Sequence, residues 1–317
     1  MKIKTAAVLG AGAVGSYFIW GLRKKFGKNL WVGADGERKE RLESEGIFIN
    51  GKHHKLHVRT PAEAHGADFL IVATKYDALR NALDDIEQVA ADHTVVLCPL
   101  NGVDKESIIA ERIGAEHMLY STILIASRRV DHEIWFDPDR TRGLKYGEAD
   151  GNMESEKMKA AADLFEGSKI RTEACDNIRQ EIWYKFAFNV SLNLPQAIIG
   201  CGVGANAVSP HVSNIRWKLR DEVCRVAAAE GVDISELDAL EKLKCPSAYD
   251  ARYSTLQDLD AGRHTEIDMF SGTVLRLAQE HGIDTPYNAF AYDAIKALEE
   301  KNDGKFDFPK GYWGDEN

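Results

Sequence analysis

A glycine pattern near the N-terminus constrains the fold more than any other feature of this 317-residue chain. Thr5 to Leu9 (TAAVL) is a short apolar run, and Gly10-Ala11-Gly12-Ala13-Val14-Gly15 follows it directly as G-x-G-x-x-G. Ala13 to Phe26 then carries the apolar spacing of a helix. Strand, glycine turn and helix in that order are what a dinucleotide site requires. Gly10 permits the tight turn, Gly12 lets the backbone approach a pyrophosphate, and Gly15 lets helix pack on strand. Ala13 and Val14 open the helix, whose N-terminus offers unpaired N–H groups to phosphate. A glycine turn without a ligand is the alternative, and the flanking strand and helix argue against it.

Asn29 to Ala34 reads as the second strand, and Asp35 ends it about 20 residues beyond Gly15. A carboxylate there accepts hydrogen bonds from the adenosine ribose hydroxyls and repels a 2′-phosphate, which favours NAD over NADP. Arg38 and Lys39 follow; they either offset that repulsion or form a solvated helix face. Ala67 to Thr74 and His93 to Pro99 are further continuous apolar runs, with a helix expected over Asp77 to Ala90. Strands apolar at every position are buried on both faces, hence a parallel sheet flanked by helices. Met118 to Ala126, Glu133 to Phe136 and Gly143 to Tyr146 read as later strands, the last two a candidate hairpin across Pro138. From Asn177 onward helical patterns dominate: Ile178 to Ile199, Ser213 to Glu230, Glu266 to His281 and Asn288 to Lys301. The expected fold is an α/β, Rossmann-type domain over residues 1–176 and an all-helical domain over 177–317.

Composition narrows the function classes. Hydrophobic residues make up 44% of the chain, enough to bury two cores. The formal net charge is −10, and an acidic surface repels a phosphate backbone, which argues against a nucleic-acid partner. No stretch has the length or apolarity of a membrane span or a signal peptide. The five cysteines contain no C-x-x-C pair, the pattern of free thiols in a reducing compartment, so a cytoplasmic protein is expected. Cys201 and Cys245 have no visible base partner and are not expected to act as nucleophiles. His53, His54 and His57 (HHKLH) lack a matching carboxylate or cysteine pattern, and an exposed strand is preferred to a metal site.

Lys185, Asn189 and Asn193 recur at i, i+4 and i+8 in WYKFAFNVSLN, along one face of a helix. Phe186, Ala187, Phe188, Val190 and Leu192 around them are apolar. A polar stripe on a helix fit for burial can form the wall of a pocket, where desolvation eases proton release from the lysine. Alternatively, the lysine snorkels to solvent beside two asparagines that satisfy core hydrogen bonds. Residues alone favour the second account.

GAGAVG at 10–15, ATK ending in Lys75, LNG at 100–102, WYKFAFNVSLN at 183–193 and STLQDLDAGRHTEID at 254–268 occur in order along the chain. In these segments the sequence resembles the ketopantoate reductase (2-dehydropantoate 2-reductase) family. The resemblance implies a Rossmann domain joined to a helical one, and hydride transfer from a nicotinamide to the ketone of a 2-oxo acid, ketopantoate to pantoate in pantothenate biosynthesis. It makes Lys185 the general acid and Glu266 its partner at the reacting hydroxyl. Asn101 would lie by the nicotinamide ribose and substrate, and Lys75 near the cofactor. Asn189, Asn193 and Ser254 would bind substrate. Glu266 is otherwise a helix start and Ser254 a helix cap.

Departures bear on the substrate. Asp35 stands where the family usually has an arginine for the 2′-phosphate, so NADP is expected from the resemblance and NAD from the carboxylate. Leu100 replaces a usual glutamine, Leu194 intervenes before Pro195, and Gly202-Val203-Gly204 lacks an asparagine some members carry. An NAD-dependent D-2-hydroxyacid dehydrogenase for branched or aromatic 2-oxo acids is the competing enzyme. A non-catalytic dinucleotide-binding regulatory protein is the alternative of another class. The partner is a small 2-oxo acid, no metal is expected, and the resemblance allows a homodimer.

Overall fold

Short strands that are apolar at every position build the centre of the first half, as burial on two faces demands. In the computed structural model, residues 2–125, 127–130, 133–139, 141–237 and 249–307 are described. The first half runs β1 (Ala6–Leu9), α1 (Ala13–Phe26), β2 (Leu30–Gly33), α2 (Gly36–Glu45), β3 (Ile47–Ile49), β4 (Lys52–His54), β5 (His57–Arg59) and β6 (Phe69–Val72). It continues through α3 (Leu83–Val89), β7 (Val95–Leu97), α4 (Lys105–Ile113), β8 (Met118–Leu124), β9 (Ser127–Val130), β10 (Glu133–Phe136), β11 (Gly143–Gly147), α5 (Glu156–Phe165) and β12 (Thr172–Ala174).

The large sheet has the order β12-β11-β8-β7-β6-β1-β2-β5. From β5 to β8 every neighbouring pair is parallel. This is the order of a doubly wound dinucleotide-binding sheet, reversing direction between β1 and β6. β11 then adds antiparallel to β8, with β12 parallel to it. Alternate residues of β6 face opposite cores. Phe69 and Ile71 pack with Tyr17, Phe18 and Phe165, and Leu70 and Val72 with Ile86, Val89 and Ile109.

The expected hairpin across Pro138 does not form. β10 pairs with β9 and β3 in a second sheet ordered β4-β3-β10-β9, whereas β11 completes the large one. Phe136 explains the choice: its ring meets Tyr17 and Trp20 of α1 edge-on, at 5.4 and 5.3 Å between centroids. The helix expected over Asp77 to Ala90 becomes two 3₁₀ turns, Tyr76–Ala78 and Arg80–Ala82, followed by α3. Buried Leu79 and Ala82 sit three apart, the spacing that a 3₁₀ turn puts on one side. The histidine-rich segment divides between β4 and β5. His53 is exposed but His54 is buried, with Arg23 Nη1 2.5 Å from its Nδ1. Burial first, and then the guanidinium, lower the His54 pKa; since arginine can only donate, Nδ1 accepts from it.

By compactness the chain divides into two units, Met1–Ile182 and Trp183–Asn317, which part inside α6 (Ile178–Ile199). Ile178 and Ile182 cluster with Cys175 and touch Val103 and Tyr120, which holds the first turns of α6 in the first unit. The second unit continues with α7 (Ala205–Val208), α8 (Pro210–Ala229), α9 (Ser254–Asp260), a π-helical turn (Asp268–Gly272), α10 (Thr273–Glu280) and α11 (Pro286–Asn302). Cys245 lies outside the described residues. Among the described residues, no helix is long and apolar enough to cross a membrane.

Candidate functional site

The glycine turn lies where the sheet order reverses. Gly10 has φ +99°, and a Cβ there would stand 2.4 Å from the Ala73 carbonyl oxygen at the end of β6. A Cβ on Gly15 would stand 1.8 Å from the Gly10 carbonyl oxygen, so the close approach of α1 to the turn needs glycine. Gly12 is different: nothing lies within 4 Å of its Cβ position. It is the N-cap of α1, without a side-chain cap bond, and the first turn carries no acidic residue. Ala13, Val14 and Gly15 therefore open the helix without a side chain competing for their N–H groups, a cradle that fits a pyrophosphate.

Asp35 is exposed, just past β2, at the N-cap position of α2. Lys39 is engaged by Glu43 and lies 4.0 Å from Glu63, so its charge is met on its own helix face. Asp85 on α3 is held above the ordinary carboxylate range by burial and then by repulsion from Asp35 and Asp84. Charges of both signs meet here, since the Arg38 guanidinium draws the Asp85 carboxyl down against Asp35 and Asp84.

Lys75 follows β6 and is exposed, and Asn101 follows β7 and is half-buried. Their loops are joined by a contact that sequence reasoning missed. The Tyr76 hydroxyl donates to the Asp104 carboxylate, whose oxygens are 2.8 and 2.9 Å away. Below Asn101, Lys105 and Glu106 are a fully buried ion pair at 2.8 Å. Lys105 Nζ also donates to the Gly102 carbonyl at 3.2 Å, and Ser121 N donates to Glu106 Oε1 at 3.2 Å. The Asn101–Gly102 turn is thereby supported from inside the protein.

In the second unit, Lys185 and Asn189 are half-buried on α6, and Asn193 is buried. Pro195 lies inside the same helix. Gln196, also missed from sequence, staples the approach to Ser254: its Nε2 donates to Ala251 O at 2.8 Å, and Tyr253 N donates to its Oε1 at 2.6 Å. Ser254 is the first residue of α9, with Tyr253 at the cap position, and so is not a cap. Gly202 and Gly204 have no room for a side chain, since their Cβ positions lie 2.5 Å from Tyr249 O and 2.3 Å from Tyr249 Cδ1. Glu266 is half-buried just ahead of the π-helical turn, and Phe270 in that turn lies beside Phe186, ring centroids 6.2 Å apart. The elements carrying Lys185 and Glu266 are thus neighbours. Neither buried thiol is poised for chemistry: burial, with Glu106 next, pushes Cys98 up to about 12, and burial pushes Cys175 up to about 11.

Comparison with known proteins agrees along the chain. The family model described as ketopantoate reductase PanE/ApbA matches residues 6–150, and its C-terminal companion matches 177–299. A 2-dehydropantoate 2-reductase of Archaeoglobus fulgidus is 26% identical over 302 residues, covering 94% of this chain and 99% of the relative. A ketopantoate reductase structure from Ralstonia eutropha superposes with TM-score 0.80 at 22% identity, over 94% of this chain and 99% of its own. The ternary structure of D-mandelate dehydrogenase with NADH and anilino(oxo)acetate gives TM-score 0.80 at 24% identity with the same coverage. With both halves matched in order by the two models of one family, the chain belongs to the ketopantoate reductase family of oxidoreductases.

Proposed function

We propose that the protein reduces the C2 ketone of a small 2-oxo acid, with ketopantoate the first substrate to test. Residues 1–176 would bind the nicotinamide dinucleotide and 177–317 the substrate. The observation that carries this reading is α6, which sets Lys185, Asn189 and Asn193 in sequence along a largely buried helix. When bound, the reduced nicotinamide supplies the hydride. Lys185 donates a proton from Nζ to the carbonyl oxygen, and Glu266 keeps that ammonium charged and oriented. Asn189, Asn193 and Ser254 hydrogen-bond the carboxylate and hydroxyl of the substrate. Asn101 and Lys75 hold the ribose side of the cofactor, and Gly10 to Gly15 the pyrophosphate.

Asp35 favours a second reading of the same machinery, an NAD-linked D-2-hydroxyacid dehydrogenase. Its exposed carboxylate favours NADH, the cofactor named in the D-mandelate dehydrogenase structure. One spectrophotometric assay separates the two, crossing NADH and NADPH with ketopantoate and with branched and aromatic 2-oxo acids. Fastest turnover on ketopantoate supports the first reading, and fastest turnover on an aromatic 2-oxo acid replaces it with the second. Absence of turnover on every 2-oxo acid refutes both.

A further inference from the structure

Glu299 on α11 is 2% exposed, and its Oε1 faces the main chain just ahead of Glu266. Thr265 donates to that oxygen twice, from its backbone N and from its Oγ1, each at 2.7 Å. Thr265 Oγ1 in turn accepts from Ile267 N at 3.2 Å. The backbone on both sides of Glu266 is therefore tied to Glu299, directly or through one hydroxyl. Two residues beyond Glu266, Asp268 is held by the Tyr292 hydroxyl at 2.7 Å and by Lys296 Nζ at 2.6 Å. Tyr292, Lys296 and Glu299 occupy one face of α11, at i, i+4 and i+7.

A buried carboxylate is costly unless its oxygens are satisfied, and a helix start needs only a serine or threonine cap. Here one oxygen takes two donors, while the other lies 3.5 Å from Lys296 Nζ and 3.7 Å from His264 Nδ1. The π-helical turn opens at Asp268, and Phe270 N donates to the Glu266 carbonyl at 3.1 Å. Such turns insert an extra residue and are frequent at functional sites. The irregular segment needs an external template, and α11 supplies it.

We propose that Glu299 is a positioning residue that sets the direction of the Glu266 side chain through Thr265. The proposal rests on the reading of Glu266 as the partner of Lys185. Steady-state kinetics of Glu299→Ala, Glu299→Gln, Glu266→Gln and the double variant Glu266→Gln/Glu299→Ala test it. Glu299→Ala lowers kcat about 10- to 100-fold, as displacement of a catalytic group by an ångström does, and leaves the KM for the cofactor unchanged. Glu299→Gln keeps the accepting oxygen and recovers kcat to within about threefold of wild type. In the Glu266→Gln background, Glu299→Ala costs less than about threefold more, because the group it positions is already gone.

Full kcat in Glu299→Ala, or losses that multiply in the double variant, overturn the proposal. Where Glu299→Ala does not fold, Thr265→Ala gives the same test. It removes only the hydroxyl links, and its loss of kcat must likewise vanish in the Glu266→Gln background. Undiminished turnover in Glu266→Gln removes the reading of Glu266 itself, and the proposal with it.

Discussion

At Lys185 the proposed chemistry depends on one ammonium proton. Lys185→Ala is expected to lower kcat about 10²- to 10⁴-fold, the range for loss of a general acid, with little change in the thermal midpoint. Stopped-flow hydride transfer and a melting curve check the two parts. Asp35→Ala is expected to narrow the preference between NADH and NADPH by about tenfold. Because Asp35 is exposed, that effect should shrink as salt is raised. Ratios of kcat/KM for the two cofactors at low and high ionic strength measure both effects. Single residues also show what a sequence reveals. Gly10 and Gly15 are legible because the tight turn and the close packing of α1 restrict each place to glycine. Glu299 is not, because its meaning comes from Thr265, which lies far along the chain and is brought near only by packing.

Among the elements, those with continuous apolar runs or long helical spacing were legible, and several short elements with little burial were not. β1, β2, β6 and β7 carry uninterrupted apolar runs and are buried throughout. β4 and β5 bury one residue each, and in the sequence this stretch reads only as one exposed strand at His53, His54 and His57, without its division in two. α2 buries only Leu42 and lacks a face to read. The start of α4 carries the strongest expected effect on stability. Lys105→Met would leave Glu106 as an uncompensated buried charge and should cost about 3–5 kcal/mol in urea unfolding. The double variant Lys105→Met/Glu106→Leu should regain most of that loss, since two apolar groups leave no orphaned charge.

For the whole molecule, stability on the acid side has an identifiable contributor. Burial alone would raise the Asp268 carboxyl, but hydrogen bonds from Lys296 and Tyr292 outweigh it and hold the group below its ordinary range. The folded state therefore favours the ionised form. Its contribution is complete above the unfolded carboxyl value and is lost as pH falls through the lower folded one. Asp268 is half-exposed, so solvent screening keeps the effect under about 1 kcal/mol. Urea midpoints at pH 6 and pH 3 should differ less in Asp268→Asn than in wild type.

α6 begins in one unit and ends in the other, and this limits how such a chain can be taken apart or recombined. A fragment ending at Ile182 would finish on a helical stub of barely more than a turn, too short to hold its own hydrogen bonds. A fragment beginning at Trp183 would start with that indole and with Phe186, both buried in the intact chain. Exchanging cofactor halves between relatives thus needs a joint ahead of Cys175, together with matched residues at Ile178 and Ile182 to refill the first core. The helix that carries the proposed proton donor is also the stretch of chain where the two units meet in sequence.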